Sequence, residues 1–296
     1  MIRLLMFGHD ATRSGAPKIF FDLCMYFMHY FEIQVVMLKK GNMKEMFSQY
    51  FDVIYLDDNS DKNKFELATE LIKKYRPDLV FANTIATYEC AYAAKVNNIP
   101  VIMSVYELQD DFDYVFAGNV PKNINEVADY YVVNSELVRT YLLTKINCAD
   151  KKIIYIPCFV SSSEIKMLAR EKTRGQVRKE LGIPNNNYVV MNIANCTPKK
   201  GIDVYIDSFI SLRSKGHNDI SFVSIGAYDM EYIKTFSKDV CRMDKGFLFL
   251  GEKSNPYQYL SGADIFLFPS RSDSFGLVVL ASMILEIPTI VFEQGC

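Results

Sequence analysis

The chain has 296 residues, half of them hydrophobic, which is enough for two domains with substantial cores. Its formal net charge of −2 supplies no basic field for nucleic acid. Three histidines, and seven cysteines without a CxxC pair, argue against a zinc site and fit free, buried thiols in a reducing cytosol.

The start, Met1 to Phe7, is interrupted at once by Gly8-His9-Asp10, too early for a signal peptide. Ile2 to Phe7 reads as a buried strand. A polar loop of small residues follows, His9-Asp10-Ala11-Thr12-Arg13-Ser14-Gly15-Ala16-Pro17, with Ser14 as N-cap and Pro17 in the first turn of a helix to about Phe31. The face Phe20, Leu23, Cys24, Phe27 and Phe31 repeats at three and four, the signature of a core-facing stripe. Strands are predicted at Gln34 to Leu38, Val53 to Leu56, Asp78 to Thr84, Pro100 to Tyr106, Tyr130 to Val133 and Ile153 to Ile156. Helices fall between them, one from about Lys64 to Tyr75 and another ending near Lys95. Strands alternating with helices predict a mainly parallel sheet. Polar residues collect after strand ends: His9, Arg13, Asn83, Glu107 and Asn134.

Residues 161–186 are rich in serine and charge and read as a partly helical linker between domains. The second domain, 187–296, repeats the alternation. Its strands are Tyr188 to Ile193, Ile220 to Ile225, Gly246 to Leu250, Ile265 to Phe268 and Thr289 to Phe292; helices run to about Lys215 and over Pro256 to Ser261. The apolar run Gly276 to Phe292 is broken by Glu286 and Pro288, so a membrane span is rejected. A domain of this kind would close with more helix, and the C-terminus is expected to be cut short.

The stretch Ile265 to Met283 reads as buried strand, polar turn, then helix. Pro269 stops the ladder, Asp273 or Ser274 can cap the helix, and Gly276 admits close approach of a ligand to the backbone. The free amides at such a helix start favour an anion, with phosphate the usual guest. The first hypothesis is therefore a phosphate-bearing ligand at Ser270 to Gly276. No G-x-G-x-x-G follows the first strand, no G-x-x-x-x-G-K-[ST] is present, and no nucleophile elbow is visible.

Pro269 to Met283, P-S-R-S-D-S-F-G-L-V-V-L-A-S-M, resembles the donor-site signature of the retaining family-4 glycosyltransferases (glycosyl transferases group 1). His9 to Pro17 is similar to that family's loop after the first strand. Val105-Tyr106-Glu107-Leu108, Thr197-Pro198-Lys199-Lys200-Gly201 and Phe249-Leu250-Gly251-Glu252 also match its order. The resemblance implies a GT-B fold: two Rossmann-like α/β domains, with parallel sheets facing across a cleft. Residues 1–160 would form the acceptor-side domain and 187–296 an incomplete donor domain.

By that resemblance Lys200 and Asp273 are the catalytic candidates. Lys200 would neutralise the donor's diphosphate, and Asp273 would hold hydroxyls of the donor sugar. Gly15, Asn195, Ser274, Phe275, Gly276 and Leu277 would line the donor's phosphates. His9, Arg13, Tyr106 and Glu107 would face the acceptor. The sequence also departs from the pattern: Ala281 stands where the family has a second acidic residue, Asn195 where many members have Arg, Tyr106 in place of His, and Cys158-Phe159 in place of Asn-Gly. The implied activity is metal-independent transfer of a sugar, with retention, from a nucleotide-diphosphate sugar to a saccharide or lipid-linked acceptor in bacterial surface glycan synthesis. No cofactor is implied beyond that donor. The expected location is the cytoplasm, with peripheral contact at the inner face of the membrane allowed. The alternative is a non-catalytic, glycosyltransferase-like subunit that binds or stabilises an active enzyme.

Overall fold

Two parallel sheets organise the protein, one in each of two compact units, residues 1–157 and 158–296. The computed structural model describes residues 1–56, 62–236 and 246–292. The chain's last four residues, on which the expected early end falls, lie outside the described residues.

The first unit runs β1 (Arg3–Asp10), α1 (Gly15–Phe27), β2 (Glu32–Lys39), α2 (Lys44–Tyr50), β3 (Val53–Tyr55), α3 (Lys64–Tyr75), β4 (Leu79–Asn83), α4 (Tyr88–Val96), β5 (Val101–Val105), α5 (Gln109–Val115), β6 (Tyr130–Val133), α6 (Glu136–Thr144) and β7 (Ile153–Tyr155). Its sheet is ordered β3-β2-β1-β4-β5-β6-β7, every pair parallel. The middle strands are apolar throughout because helices cover both faces. Leu5, Phe7, Val80, Ala82, Met103 and Val133 pack on one side; Leu4, Met6, Val35, Met37 and Phe81 meet Phe20, Phe21 and Cys24 of α1 on the other. Burying each large side chain contributes roughly 1.5–3 kcal/mol.

Local signals set the helix ends. Asn63 Oδ1 accepts from Glu66 N at 2.9 Å while Glu66 Oε2 accepts from Asn63 N at 3.1 Å, a reciprocal cap that starts α3. Ser135 Oγ accepts from Val138 N at 3.2 Å and starts α6. Ser14 precedes α1 in extended conformation without a side-chain cap, and α1 ends at Phe27 rather than Phe31.

The second unit runs α7 (Ser162–Ala169), α8 (Arg174–Glu180), β8 (Tyr188–Ile193), α9 (Ile202–Ser214), β9 (Ile220–Ile225), α10 (Met230–Phe236), β10 (Phe247–Phe249), α11 (Tyr257–Leu260), β11 (Ile265–Phe268), α12 (Leu277–Ile284) and β12 (Thr289–Val291). The sheet order is β10-β9-β8-β11-β12, again all parallel. Residues 161–186, read from composition as a linker, form α7 and α8 within this unit. Their charges flank buried Ile165, Ala169 and Val177, with Ile183 just beyond, and Val177 and Ile183 join the core of Val189, Met191, Val223 and Phe266. Arg178 is itself 2% exposed; it pairs with Asp264 at 2.6 Å and donates to the carbonyls of Asn185 and Asn187 at 2.9 and 2.8 Å.

Strand order reverses between β1 and β4 in the first unit and between β8 and β11 in the second. Open α/β sheets bind ligands outside the carboxyl ends of strands at such reversals. No described helix is long and apolar enough to cross a membrane. Among the described residues Cys24, Cys90, Cys148 and Cys196 are buried free thiols, and Cys158 is half-buried. No group of three or more metal-ligating side chains occurs among them.

Candidate functional site

In the second unit, parallel pairing of β8 with β11, in register Val190↔Ile265 and Met191↔Phe266, brings two loops side by side at their carboxyl ends. One loop, 194–201, leads into α9 and carries Lys200. The other, 269–276, leads into α12 and carries Asp273. Asn192 Nδ2 donates to Leu267 O at 2.8 Å and helps fix the two strands just before the loops.

Their approach depends on Gly201. It sits at φ +67°, and a Cβ there would lie 1.9 Å from Pro269 O. No other residue allows that contact without moving the backbone. Lys200, one position earlier, then reaches across: its ammonium is ion-paired with Asp273 Oδ2 and lies 5.7 Å from the centre of the Phe268 ring. The other carboxylate oxygen of Asp273, Oδ1, accepts from the amides of Phe275 at 3.1 Å and Gly276 at 2.8 Å.

This arrangement corrects the capping expectation. Neither Asp273 nor Ser274 is the N-cap of α12; Gly276 is, at φ +68°, without a side-chain cap. Asp273 instead closes a turn ahead of the helix. Leu277 is the first helical residue, so the unpaired amides that every helix start presents begin beside it. Burial alone would push the Asp273 carboxyl up. The Lys200 ammonium and the two amides outweigh burial and hold it below the usual carboxylate range. Lys200, Asp273, Phe275 and Gly276 are thus brought together. Ser274 and Leu277 adjoin them in the chain and are half-buried.

Asn195 lies near the start of the first loop. It is exposed, and its Oδ1 accepts from Ala227 N at 3.0 Å, tying the end of β8 to the end of β9. Ala281 is fully buried in α12 and offers only a methyl group. Two residues that pattern reading did not single out complete the cluster. Arg271 forks onto Asp203 of α9 at 2.8 and 2.5 Å, and its Nη1 donates to Pro198 O at 2.8 Å. The motif's variable position at 271 gave no hint of this, because the partner lies 68 residues away.

In the first unit the carboxyl ends of β1, β4 and β5 gather His9, Asn83, Thr84, Tyr106 and Glu107. Tyr106 OH donates to Asn83 Oδ1 at 3.1 Å, and the Asn83 amide reaches Ala16 O of α1 at 3.5 Å. Glu107 accepts from Tyr106 N at 2.8 Å and from Ile85 N at 3.3 Å. Burial pushes its carboxyl up to about 7, with nearby Asp111 adding to the rise and the amide contacts opposing it. His9 Nε2 lies 3.4 Å from Asp10 Oδ2, and its buried Nδ1 has no hydrogen-bond partner among the described residues. Burial lowers the imidazole's pKa and Asp10 partly restores it. Arg13 and Gly15 are exposed, at the loop and the first turn of α1. Thr84 was not singled out by sequence. Its φ of +74° is strained for a β-branched residue, and its buried hydroxyl lacks a partner among the described residues. Both features sit at the carboxyl end of β4, beside the reversal in strand order.

Comparison with known proteins follows this geometry. Residues 173–296 match the family model described as "Glycosyl transferases group 1". The chain is 33% identical over 128 residues to the O-antigen biosynthesis glycosyltransferase WclY of Escherichia coli, covering 40% of this chain and 35% of that protein. It is 27% identical over 161 residues to the capsular polysaccharide biosynthesis glycosyltransferase CapM of Staphylococcus aureus, covering 53% and 41%. The chain thus spans less than half the length of both curated relatives. Among solved structures, Anabaena HepE in complex with UDP and glucose superposes with a TM-score of 0.83 at 17% identity, covering all of this chain and 82% of that one. WaaG, a glycosyltransferase involved in lipopolysaccharide biosynthesis, gives 0.74 at 11% identity, covering 97% and 80%. The loops bearing Lys200 and Asp273 therefore lie in a stretch matching the glycosyl transferases group 1 model, within a chain that has the α/β fold of GT-B glycosyltransferase structures.

Proposed function

We propose that the protein is a glycosyltransferase that moves a sugar, with retention, from a nucleotide-diphosphate sugar to a saccharide or lipid-linked acceptor in bacterial surface glycan synthesis. One observation carries the reading. Lys200, Asp273 and the amides at the start of α12 converge at the carboxyl ends of β8 and β11, within residues 173–296.

The chemistry follows from charge. Breaking the bond between the sugar's anomeric carbon and the diphosphate oxygen leaves negative charge on the diphosphate. An ammonium and fixed amide dipoles aimed at that charge stabilise its departure. Asp273, beside them, is an acceptor for the sugar's hydroxyls. The acceptor hydroxyl loses its proton to the departing phosphate as the new glycosidic bond forms. His9, Arg13, Tyr106 and Glu107 are assigned to the acceptor side. WclY and CapM, named for O-antigen and capsular polysaccharide biosynthesis, support the surface-glycan assignment, and the UDP in HepE supports a nucleotide donor. We place the activity in the cytoplasm, where peripheral contact with the inner face of the membrane is allowed.

Calorimetric titration with UDP, GDP and their sugar conjugates in EDTA tests the donor and its metal independence together. Saturable binding to one nucleotide family is the expected result; a folded protein that binds none refutes the reading. A second reading, a non-catalytic partner subunit, is favoured by the methyl group of Ala281 at a position where the resembling family has an acid. That reading expects neither sugar transfer nor donor hydrolysis, and a folded protein that binds no nucleotide favours it.

A further inference from the structure

Lys200 projects from a loop without regular structure, yet its ammonium must sit within contact distance of Asp273. Arg271 attaches to the chain on both sides of it. Before Lys200, its guanidinium takes Pro198 O at 2.8 Å and its backbone amide takes Lys199 O at 2.9 Å. After Lys200, the guanidinium forks onto the Asp203 carboxylate at 2.8 and 2.5 Å. Ser270 Oγ, next in line, lies 3.2 Å from Lys199 O. Two residues beyond Arg271 the same loop delivers Asp273 to Lys200.

We infer that Arg271, through Asp203, is a positioning residue for the donor's diphosphate. It fixes the crest of the Lys200 turn at the distance and height set by the Asp273 loop. This inference rests on the donor-site reading above. The ion pair is partly open to solvent, with 46% and 29% of the two side chains exposed, so it contributes little to global stability. Its fork geometry is what matters: a planar guanidinium can bind a carboxylate with two parallel bonds and still reach a carbonyl, and a lysine ammonium cannot do this in one plane. An error of about 1 Å in a group that must meet developing charge costs on the order of 100-fold.

The test is a double-mutant cycle read by calorimetric affinity for the nucleoside diphosphate that the wild type prefers, with the thermal midpoint of each variant recorded. Arg271→Ala is expected to weaken binding about tenfold, equivalent to roughly 1.4 kcal/mol. Asp203→Asn is expected to produce a comparable loss, and Arg271→Lys to recover only part of it. In a Lys200→Ala background, Arg271→Ala is expected to add less than about twofold, since a positioning residue has no effect once the group it positions is gone. Unchanged affinity in Arg271→Ala overturns the inference and leaves the donor reading intact. So does a loss of the same size with and without Lys200. A wild type that binds no nucleotide overturns both. If Arg271→Ala does not fold, Asp203→Asn and Arg271→Lys carry the same cycle.

Discussion

Lys200 and Asp273, 73 residues apart in the chain, meet in an ion pair that places the carboxylate on the same cation and the same two amides assigned to a donor's phosphates. On the proposed reading the protein's own carboxylate stands in the anion site, and a bound diphosphate would take over the ammonium while Asp273 turns toward the sugar.

Two substitutions separate these parts. Lys200→Ala is expected to weaken nucleoside diphosphate binding by about 10- to 100-fold, the worth of a charged hydrogen bond of roughly 1.5–3 kcal/mol. Asp273→Asn is expected to act in the opposite direction on the bare diphosphate, tightening it a few-fold because Lys200 is no longer engaged. It should also abolish the preference for the sugar conjugate. Titration of both variants with diphosphate and sugar conjugate checks this. A Lys200→Ala variant with wild-type affinity refutes the role of the cation.

Gly201→Ala is expected to destabilise the second unit. The added methyl would meet Pro269 O at 1.9 Å, and the residue would be forced to hold a φ of +67°. Strain of this kind costs on the order of 1–3 kcal/mol, and the steric overlap adds to it. Urea denaturation measures the loss. Diphosphate affinity should fall in parallel, because the two loops can no longer close together.

Arg178 is the buried charge among the described residues of the second unit, and removing its head group is expected to cost about 3 kcal/mol. Arg178→Met would leave three carbonyls, those of Gly262, Asn185 and Asn187, without their donor. Asp264 would keep Arg174 at 2.5 Å, which sets the cost at the lower end of the range for a broken buried pair. A urea midpoint within error of the wild type would show that water replaces the guanidinium.

Glu107 sets a pH dependence in the first unit. Its carboxyl is raised in the folded state to about 7, against an ordinary value near 4.5. The folded state therefore holds a proton that the unfolded chain has released between those two values. Stability from this group is fully present below about pH 4.5 and is lost as pH rises through about 7. Glu107→Gln is expected to flatten that slope. Unfolding free energies at several pH values across this window, for wild type and variant, check the sign. Asp273 has the opposite sign: held below the usual range by Lys200, it contributes above that range and loses its contribution as acid protonates it.

The alternation of strands and helices was legible in the sequence because the strands are apolar runs buried on both faces, such as Val80 to Ala82 and Val35 to Leu38, with polar residues immediately after them. The motif around Phe275 and Gly276 likewise identified the loop before α12. Other features could not be read along the chain. The charges of 161–186 concealed Ile165, Val177 and Ile183, so helices that belong to a core resembled a linker. The N-cap of α12 is Gly276 rather than Asp273 or Ser274, because the Asp273 carboxylate takes the amides just ahead of the helix. The strained Thr84 and the fork of Arg271 onto Asp203 depend on backbone angles and on contacts between distant segments, which no local pattern encodes.

The strand order of the second unit also bears on how the site comes into being during synthesis. β8, β9 and β10 lie on one side of the sheet in the order the ribosome delivers them, but β11 must enter beside β8, next to the oldest strand. A nascent chain that has emerged only as far as β10 already carries Lys200 and Gly201, with neither Asp273 nor Pro269 to meet. On the proposed donor site, diphosphate affinity should therefore appear abruptly, when β11 and the loop after it dock and before β12 is added, and a labelled nucleotide would report that insertion on stalled ribosomes.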